Sequence, residues 1–126
     1  MPRYIISIGS NITEGESEVN TAIASLARCH EIVSLTRTYR SPDIHGDSRP
    51  PYTNAIAIIK SDIDTELLNL HLKEYEKSRG RVAGSSEVII DLDLVCRDDL
   101  VLRQRDYNAP YFVKGLYLLG TGKLNR

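Results

Sequence analysis

The chain has 126 residues, a length typical of one compact domain, so we predict a single domain over residues 1–126. Its net charge is −1 and its basic residues are scattered, which gives no electrostatic reason to expect a nucleic acid as partner. No apolar run approaches the roughly 20 residues of a membrane-spanning helix, so no membrane partner is expected either.

The first third of the chain predicts a strand, a turn and a helix. Residues 3–8 are rich in β-forming side chains, and the run stops at Gly9-Ser10-Asn11. Thr13 followed by Glu16 has the spacing of a capping box. Apolar residues then recur at helical spacing, which predicts a first helix over about residues 14–29.

The middle of the chain predicts two strands and a second helix. Residues 31–40 are rich in β-branched side chains and predict a strand, and residues 52–60 predict another. Between them, residues 41–51 contain three prolines and one glycine, which indicates a long loop. Asp64 can cap a helix that ends near Gly80. Its predicted apolar stripe consists of Leu67, Leu68, Leu72 and Tyr75.

The last third predicts an apolar strand over residues 88–95 and a short strand near residues 100–102. A short final helix or turn is expected near residues 113–119. The order strand, helix, strand, strand, helix, strand predicts a ferredoxin-like α+β sandwich. Such a fold has one mainly antiparallel sheet with both helices on one face, and the other face would be free for a functional site.

The chain contains two cysteines, Cys29 and Cys96. Their spacing forms no metal-binding motif, and the first residues do not form a signal peptide. Both lie next to apolar segments. We therefore predict two buried, reduced cysteines in a cytoplasmic protein.

Two aspartates interrupt the apolar strand near its centre. Because strand side chains alternate, Asp91 and Asp93 are expected on one face and Leu92 on the other. Adjacent carboxylates repel each other, and a hard cation such as Mg²⁺ relieves the repulsion while also holding substrate phosphates. The alternative is a pair of carboxylates that face only water. Aspartate is disfavoured in strands, which favours a functional pair.

Two further positions are candidates for ligand contacts. Tyr52 and Asn54 share one face of their strand, and an asparagine amide suits the edge of a flat heterocycle. The alternative is an asparagine that binds only the backbone. Arg81 follows the second helix and either stabilises the C-terminus of that helix or holds phosphates near Asp91 and Asp93.

Five segments stand in a specific order along the chain. They are Tyr4 to Asn11 ending in G-S-N, Asn20, Tyr39-Arg40-Ser41-Pro42 followed by Pro51-Tyr52-Thr53-Asn54-Ala55, Glu76 with Gly80-Arg81, and Asp91-Leu92-Asp93-Leu94. Together they resemble the motifs of the hydroxymethyldihydropterin pyrophosphokinase family. The resemblance implies a ferredoxin-like fold and transfer of pyrophosphate from ATP to 6-hydroxymethyl-7,8-dihydropterin, with release of AMP, in folate biosynthesis.

The resemblance also implies roles for individual residues. Asp91 and Asp93 would bind two Mg²⁺ ions that bridge ATP and the pterin hydroxyl, and with Arg81 they would be the catalytic residues. The pterin pocket would be formed by Ser41, Pro42, Ile44, Tyr52, Asn54 and Leu116. The nucleotide would contact Glu76, Arg81, Leu94 and Lys114.

The chain departs from the family pattern in two segments. Residues 82–90 are V-A-G-S-S-E-V-I-I, with neither the Trp nor the Arg of the family's W-G-P-R loop. Tyr111 follows Pro110 where the family has a histidine, and Lys114-Gly115-Leu116 stands in place of Arg-Gly-Phe. Lys114 and Arg97 are candidates to supply part of the missing charge.

These departures keep two alternatives open. One is a catalytically impaired pterin- or nucleotide-binding module of the same fold, because loss of a cation aimed at the transferring phosphates slows such reactions by about 10²-fold or more. The other is a regulatory or assembly domain without any link to pterin, since this fold supports many functions. The sequence does not indicate an oligomeric state.

Overall fold

The computed structural model describes residues 1–43 and 50–124. The elements in chain order are β1 (Arg3–Ser10), α1 (Gly15–Cys29), β2 (Glu31–Leu35), β3 (Tyr39–Ser41), β4 (Tyr52–Lys60), α2 (Thr65–Ser78), β5 (Asp91–Arg97), β6 (Leu100–Val101), α3 (Gln104–Tyr107) and α4 (Pro110–Leu124). Within these ranges, none of the helices combines the length and the apolar character needed to cross a membrane.

The strands form a single sheet in the order β2-β4-β1-β5-β6, and β3 pairs with the other end of β4. Every neighbouring pair is antiparallel. The predicted α+β fold with an antiparallel sheet is therefore confirmed. The central strand, β1, places Gly9 opposite Asn54 of β4 on one side and opposite Asp91 of β5 on the other.

One face of the sheet is covered by α1 and α2, as predicted. Val19 of α1 and Leu68 and Leu72 of α2 belong to the same buried cluster as Ile8 and Leu92 of the sheet. The apolar positions of the two helices recur every three or four residues, so they fall on the side that meets the sheet.

Two predictions made for these helices from residue spacing were wrong. Leu67 is 44% exposed because it lies about 100° around the helix from the buried Leu68. The capping box predicted for α1 is wrong, because its N-cap is Glu14 and makes no side-chain capping bond. Asp64 does cap α2, where its carboxylate accepts hydrogen bonds from two backbone N–H groups of the first turn.

The opposite face of the sheet is not entirely free, because α4 packs against it. This helix is longer than the predicted final turn, and its Phe112 and Leu119 form a second buried cluster with Ile56 and Val95 of the sheet. Gly115 allows the close approach: a Cβ at this position would overlap Ile56 and lie 2.5 Å from the Tyr39 hydroxyl. In the part of the chain that the structure describes, α4 leaves one end of this face uncovered.

Two predicted strands have different boundaries for reasons of hydrogen bonding. Residues 31–40 form two strands, because the Thr36 hydroxyl accepts the Ile56 N–H at 2.9 Å and so replaces a regular ladder bond. β5 begins at Asp91 and not at Val88, because the Asn11 side chain accepts the Val88 N–H at 2.6 Å. The loop before β5 is thus fixed to the end of β1.

The two cysteines differ in their environments. Cys96 is buried in β5, as predicted, whereas Cys29 at the end of α1 is exposed, so the prediction of two buried cysteines is wrong for Cys29. Both are free thiols. Cys29 lies in the last turn of α1, on the side of the helix that faces away from the sheet.

Candidate functional site

A cavity of about 210 Å³ opens on the α4 side of the sheet, at the end where β1, β4 and β5 lie side by side. Its floor consists of sheet residues whose side chains point away from α1 and α2. They are Ser7 and Gly9 of β1, Asn54 of β4, and Asp91 and Asp93 of β5. The missing side chain of Gly9 leaves room there, since a Cβ would lie 3.3 Å from both Asn54 and Tyr52.

The two aspartates lie on the same face of β5, as the alternation predicted. Leu92 between them is 1% exposed and belongs to the core on the helix side. The Asp91 side chain is 33% exposed, whereas the Asp93 side chain is 9% exposed. The pair therefore presents one carboxylate to the opening of the cavity and one to its interior.

Three cationic side chains surround these carboxylates. The Lys73 ammonium lies 3.2 Å from Asp93 and 3.8 Å from Asp91. The Arg81 guanidinium lies 3.4 Å from Asp91, and the Arg103 guanidinium lies 3.7 Å from Asp93. The sequence predicted Arg81 at this site but missed Lys73 and Arg103.

Burial and charge act in opposite directions on Asp93. Burial, and after it the nearby charge of Asp91, outweigh the lowering effects of Lys73 and Arg103 and raise the pKa of Asp93 to about 6. For Lys73, burial lowers the pKa, but Asp93, Glu76 and Asp91 outweigh this effect and raise it above its ordinary value. Lys73 is therefore charged at neutral pH.

Glu76, predicted to contact the nucleotide, lies beneath the aspartates and is 6% exposed. Its Oε2 accepts the backbone N–H of Leu92 at 2.7 Å and the Lys73 ammonium at 3.0 Å. Arg81 lies 3.8 Å from its other oxygen. The carboxylate thus connects α2 to β5 and orients two of the three cations.

The other end of the cavity contains most of the residues predicted to bind the pterin. Ser41, Pro42, Tyr52 and Asn54 all line it, together with Asp43. Asn54 is 3% exposed, and its amide donates to the Ser41 hydroxyl at 2.7 Å. Ile44 lies outside the described residues.

Five predicted contact residues are not in the lining. Glu76 and Arg81 stand next to the aspartates, as described above, and the other three lie elsewhere. Leu94 is 3% exposed in the core on the helix side, because it shares the alternation of Leu92. Leu116 packs against the cluster beneath α4. Lys114 lies over the Tyr39 ring, 5.6 Å from its centroid. None of these three side chains lines the cavity, and Arg97 likewise lies over Tyr4 at the far end of β5.

The segment around α3 supplies a wall that the sequence did not predict. Arg103, Arg105, Asp106 and Tyr111 all line the cavity. The Tyr111 hydroxyl donates to Asp106 at 2.7 Å, and Asp106 also pairs with Arg103. The run R-Q-R-D after a short strand was the available signal, because two arginines so close together mark a cationic surface.

Asp91 and Asp93 offer hard oxygen donors of the kind that Mg²⁺ prefers. Asp91 and Asp93 both line the cavity and would supply carboxylate oxygens to Mg²⁺ that enters with a substrate. In the part of the chain that the structure describes, no group of three or more His, Cys, Asp or Glu side chains could hold a metal ion. Any further ligands would have to come from a substrate or solvent.

Comparisons with known proteins find a matching family and a similar protein. The family model described as 7,8-dihydro-6-hydroxymethylpterin-pyrophosphokinase matches residues 5–117. A 2-amino-4-hydroxy-6-hydroxymethyldihydropteridine pyrophosphokinase from Haemophilus influenzae is 25% identical over 112 residues, which is 85% of this chain and 69% of that protein. The matched segment includes β3, β4, β5 and most of β1, which are the strands that line the cavity.

Proposed function

Because the chain belongs to the 7,8-dihydro-6-hydroxymethylpterin-pyrophosphokinase family, we propose that it transfers pyrophosphate from ATP to 6-hydroxymethyl-7,8-dihydropterin in folate biosynthesis and releases AMP. One observation supports this assignment most directly. A single cavity brings a buried asparagine and a tyrosine at one end together with paired aspartates and arginines at the other.

The pterin end suits a flat heterocycle with an amide edge. Asn54 lies on the cavity floor and Tyr52 stands beside it, so the amide can pair with the ring edge while the tyrosine contacts the ring. Ser41 holds the Asn54 amide through the 2.7 Å hydrogen bond and thereby fixes its orientation. The ring would enter over Gly9, where a side chain would fill the space.

The other end suits the phosphates. In the reaction, the pterin hydroxyl oxygen bonds to the β-phosphorus, the bond from that phosphorus to the α,β-bridging oxygen breaks, and AMP leaves while the hydroxyl proton passes to solvent. Mg²⁺ bound with ATP would neutralise the phosphate charge. Arg103 and Arg105 on the cavity wall would hold the phosphate oxygens, and Arg81 would assist beside Asp91.

These cations matter because residues 82–90 lack the family's loop arginine. Arg103 and Arg105 lie on the cavity wall, whereas Lys114 does not. We assign the compensating role to the two arginines. A cytoplasmic location is part of the same proposal, since ATP and the pterin are substrates found there.

The test is release of AMP from ATP with Mg²⁺, measured with and without 6-hydroxymethyl-7,8-dihydropterin. Asp93→Asn removes a carboxylate charge without changing its shape and should lower pterin-dependent turnover by 10²-fold or more, on the order of other losses of transition-state charge stabilisation. Asp62→Asn, at an exposed position outside the cavity, is the matched control. Equal turnover in both variants would contradict the assignment of Asp93.

The absent loop arginine favours one alternative, a module that binds the pterin or the nucleotide without transferring pyrophosphate. This alternative predicts saturable pterin binding, followed by fluorescence of the pterin ring, with no AMP above the ATP-only rate. Pterin-dependent AMP release would exclude it.

A further inference from the structure

Arg103, on the wall of the cavity, is held between two carboxylates. Its Nε donates to Asp106, and its Nη2 lies 3.7 Å from Oδ1 of Asp93. The Arg103 side chain is 48% exposed, so burial alone would leave it free to sample several conformations. The two carboxylates therefore determine where its guanidinium lies.

Asp106 is itself held by Tyr111. The Tyr111 hydroxyl donates to Oδ1 of Asp106 at 2.7 Å, while Arg103 binds the other oxygen, Oδ2. Each oxygen of this carboxylate thus has its own partner, and the two partners together fix its orientation. Burial and the hydrogen bond to Asp106 raise the pKa of the Tyr111 hydroxyl, so it remains a donor at neutral pH.

Tyr111 belongs to a better-packed part of the molecule than the wall that it contacts. It is the second residue of α4, and its backbone oxygen accepts the Tyr39 hydroxyl at 2.6 Å. Tyr39 is 6% exposed and belongs to the buried cluster beneath α4. Asp106, by contrast, lies in the four-residue helix α3, which has no buried residue. The Tyr111 hydroxyl therefore ties this short segment to the packed interface of α4 with the sheet.

We propose that Tyr111 is a positioning residue for the reaction: through Asp106, its hydroxyl holds the Arg103 guanidinium at the place where the phosphates of ATP would bind. The inference rests on the proposed function, because it takes Arg103 as a phosphate ligand. A guanidinium has five N–H donors, so one that is held by two carboxylates retains donors for phosphate oxygens. Holding it in advance lowers the entropy cost of fixing a long side chain when the nucleotide binds.

The experiment is a double-mutant cycle that measures nucleotide binding. The ligand is α,β-methylene-ATP with Mg²⁺, whose α,β bond cannot be cleaved, and isothermal titration calorimetry gives its Kd without turnover. The four proteins are wild type, Tyr111→Phe, which removes only the hydroxyl, Arg103→Met and the double variant. Tyr107→Phe is the matched control, because it makes the same change in a nearby tyrosine outside the cavity lining.

We expect Tyr111→Phe to raise the Kd about 10-fold when Arg103 is present, as for the loss of a hydrogen bond to a charged group. In the Arg103→Met background the same change should raise the Kd by less than about 2-fold, and the control should match wild type. An equal loss in both backgrounds would overturn the inference, because the hydroxyl would then act on the fold or on the nucleotide without Arg103. An unchanged Kd in Tyr111→Phe would overturn it as well.

Failure of this inference is distinguishable from failure of the proposed function. A wild type that binds the nucleotide but releases no pterin-dependent AMP would contradict the proposed function, and the cycle would still decide whether Tyr111 acts through Arg103. A wild type that does not bind the nucleotide would overturn the inference. If Tyr111→Phe fails to fold, Asp106→Asn takes its place in the cycle with the same expectation, because it removes the charge that binds Arg103.

Discussion

Gly115 is the point at which α4 approaches the sheet most closely, and replacing it with alanine tests that packing. A Cβ there would overlap Ile56 of β4 and would lie 2.5 Å from the Tyr39 hydroxyl. The same helix contains Gly120, where a Cβ would meet no atom within 4 Å. Gly115→Ala and Gly120→Ala therefore make the same chemical change in one helix, with and without a steric cost.

The expected difference follows from three contributions. Alanine in place of glycine favours a helix by about 1 kcal/mol, and this gain cancels when the two variants are compared. Forcing a methyl group into a packed interface costs about 1–3 kcal/mol. The Tyr39 hydroxyl donates to the Tyr111 backbone oxygen at 2.6 Å, and its displacement costs a further ~1 kcal/mol.

We therefore expect Gly115→Ala to be less stable than Gly120→Ala by about 2–4 kcal/mol. For a chain of this length, that difference lowers the midpoint of thermal unfolding by on the order of 10 °C. Urea and thermal unfolding followed by circular dichroism measure both quantities. Equal stability of the two variants would refute the reasoning that α4 is seated on the sheet through Gly115.

Two further predictions concern the loop before β5 and the histidines. Asn11→Ala leaves the Val88 N–H without its acceptor and should lower the free energy of unfolding by about 1–3 kcal/mol, whereas Asn69→Ala at an exposed site of α2 should change it little. Urea unfolding of both variants distinguishes these outcomes, and equal losses would contradict the role of Asn11. Burial and the nearby His71 lower the pKa of His30, so the unfolded chain binds more protons than the folded one below about pH 6.5, and stability should fall as the pH drops through this range. His71→Ala should raise the pKa of His30 as measured by NMR, and an unchanged value would rule out the charge effect of His71.

Local periodicity was sufficient for most of the sheet. The strand predicted at residues 52–60 has those bounds in the structure, and Asp64 caps its helix, because both features depend on residues that are near each other in sequence. The alternation of Asp91, Leu92 and Asp93 likewise needed only the two-residue period of a strand. A predicted strand boundary was wrong where a side chain far away in sequence binds the backbone. Asn11 does this when its side chain accepts the Val88 N–H, and β5 begins after that point.

The ordered motifs said more about function than the periodicity of apolar residues did. They indicated the pyrophosphokinase family, and they pointed to Asn54, Asp91 and Asp93, which line one cavity in the structure. Family motifs did not indicate how this chain departs from the pattern. Leu94, Leu116 and Lys114 were expected in the site on the basis of resemblance, but their side chains lie in the core, beneath α4 and over Tyr39.

The sequence by itself thus determined the order of the main strands and of α1 and α2, the common face of the two aspartates and the family, but not the division of residues 31–40 into two strands or the presence of α3. The tertiary structure decided which charges meet there: Lys73 is 20 residues from Asp93 in sequence, yet its ammonium lies 3.2 Å from that carboxylate. It also decided that Arg103 and Tyr111 line the same cavity as Asn54. The physical reason is that a repeat along the chain fixes the direction of a side chain relative to its own strand or helix. Distances between side chains of different elements are fixed only when those elements pack.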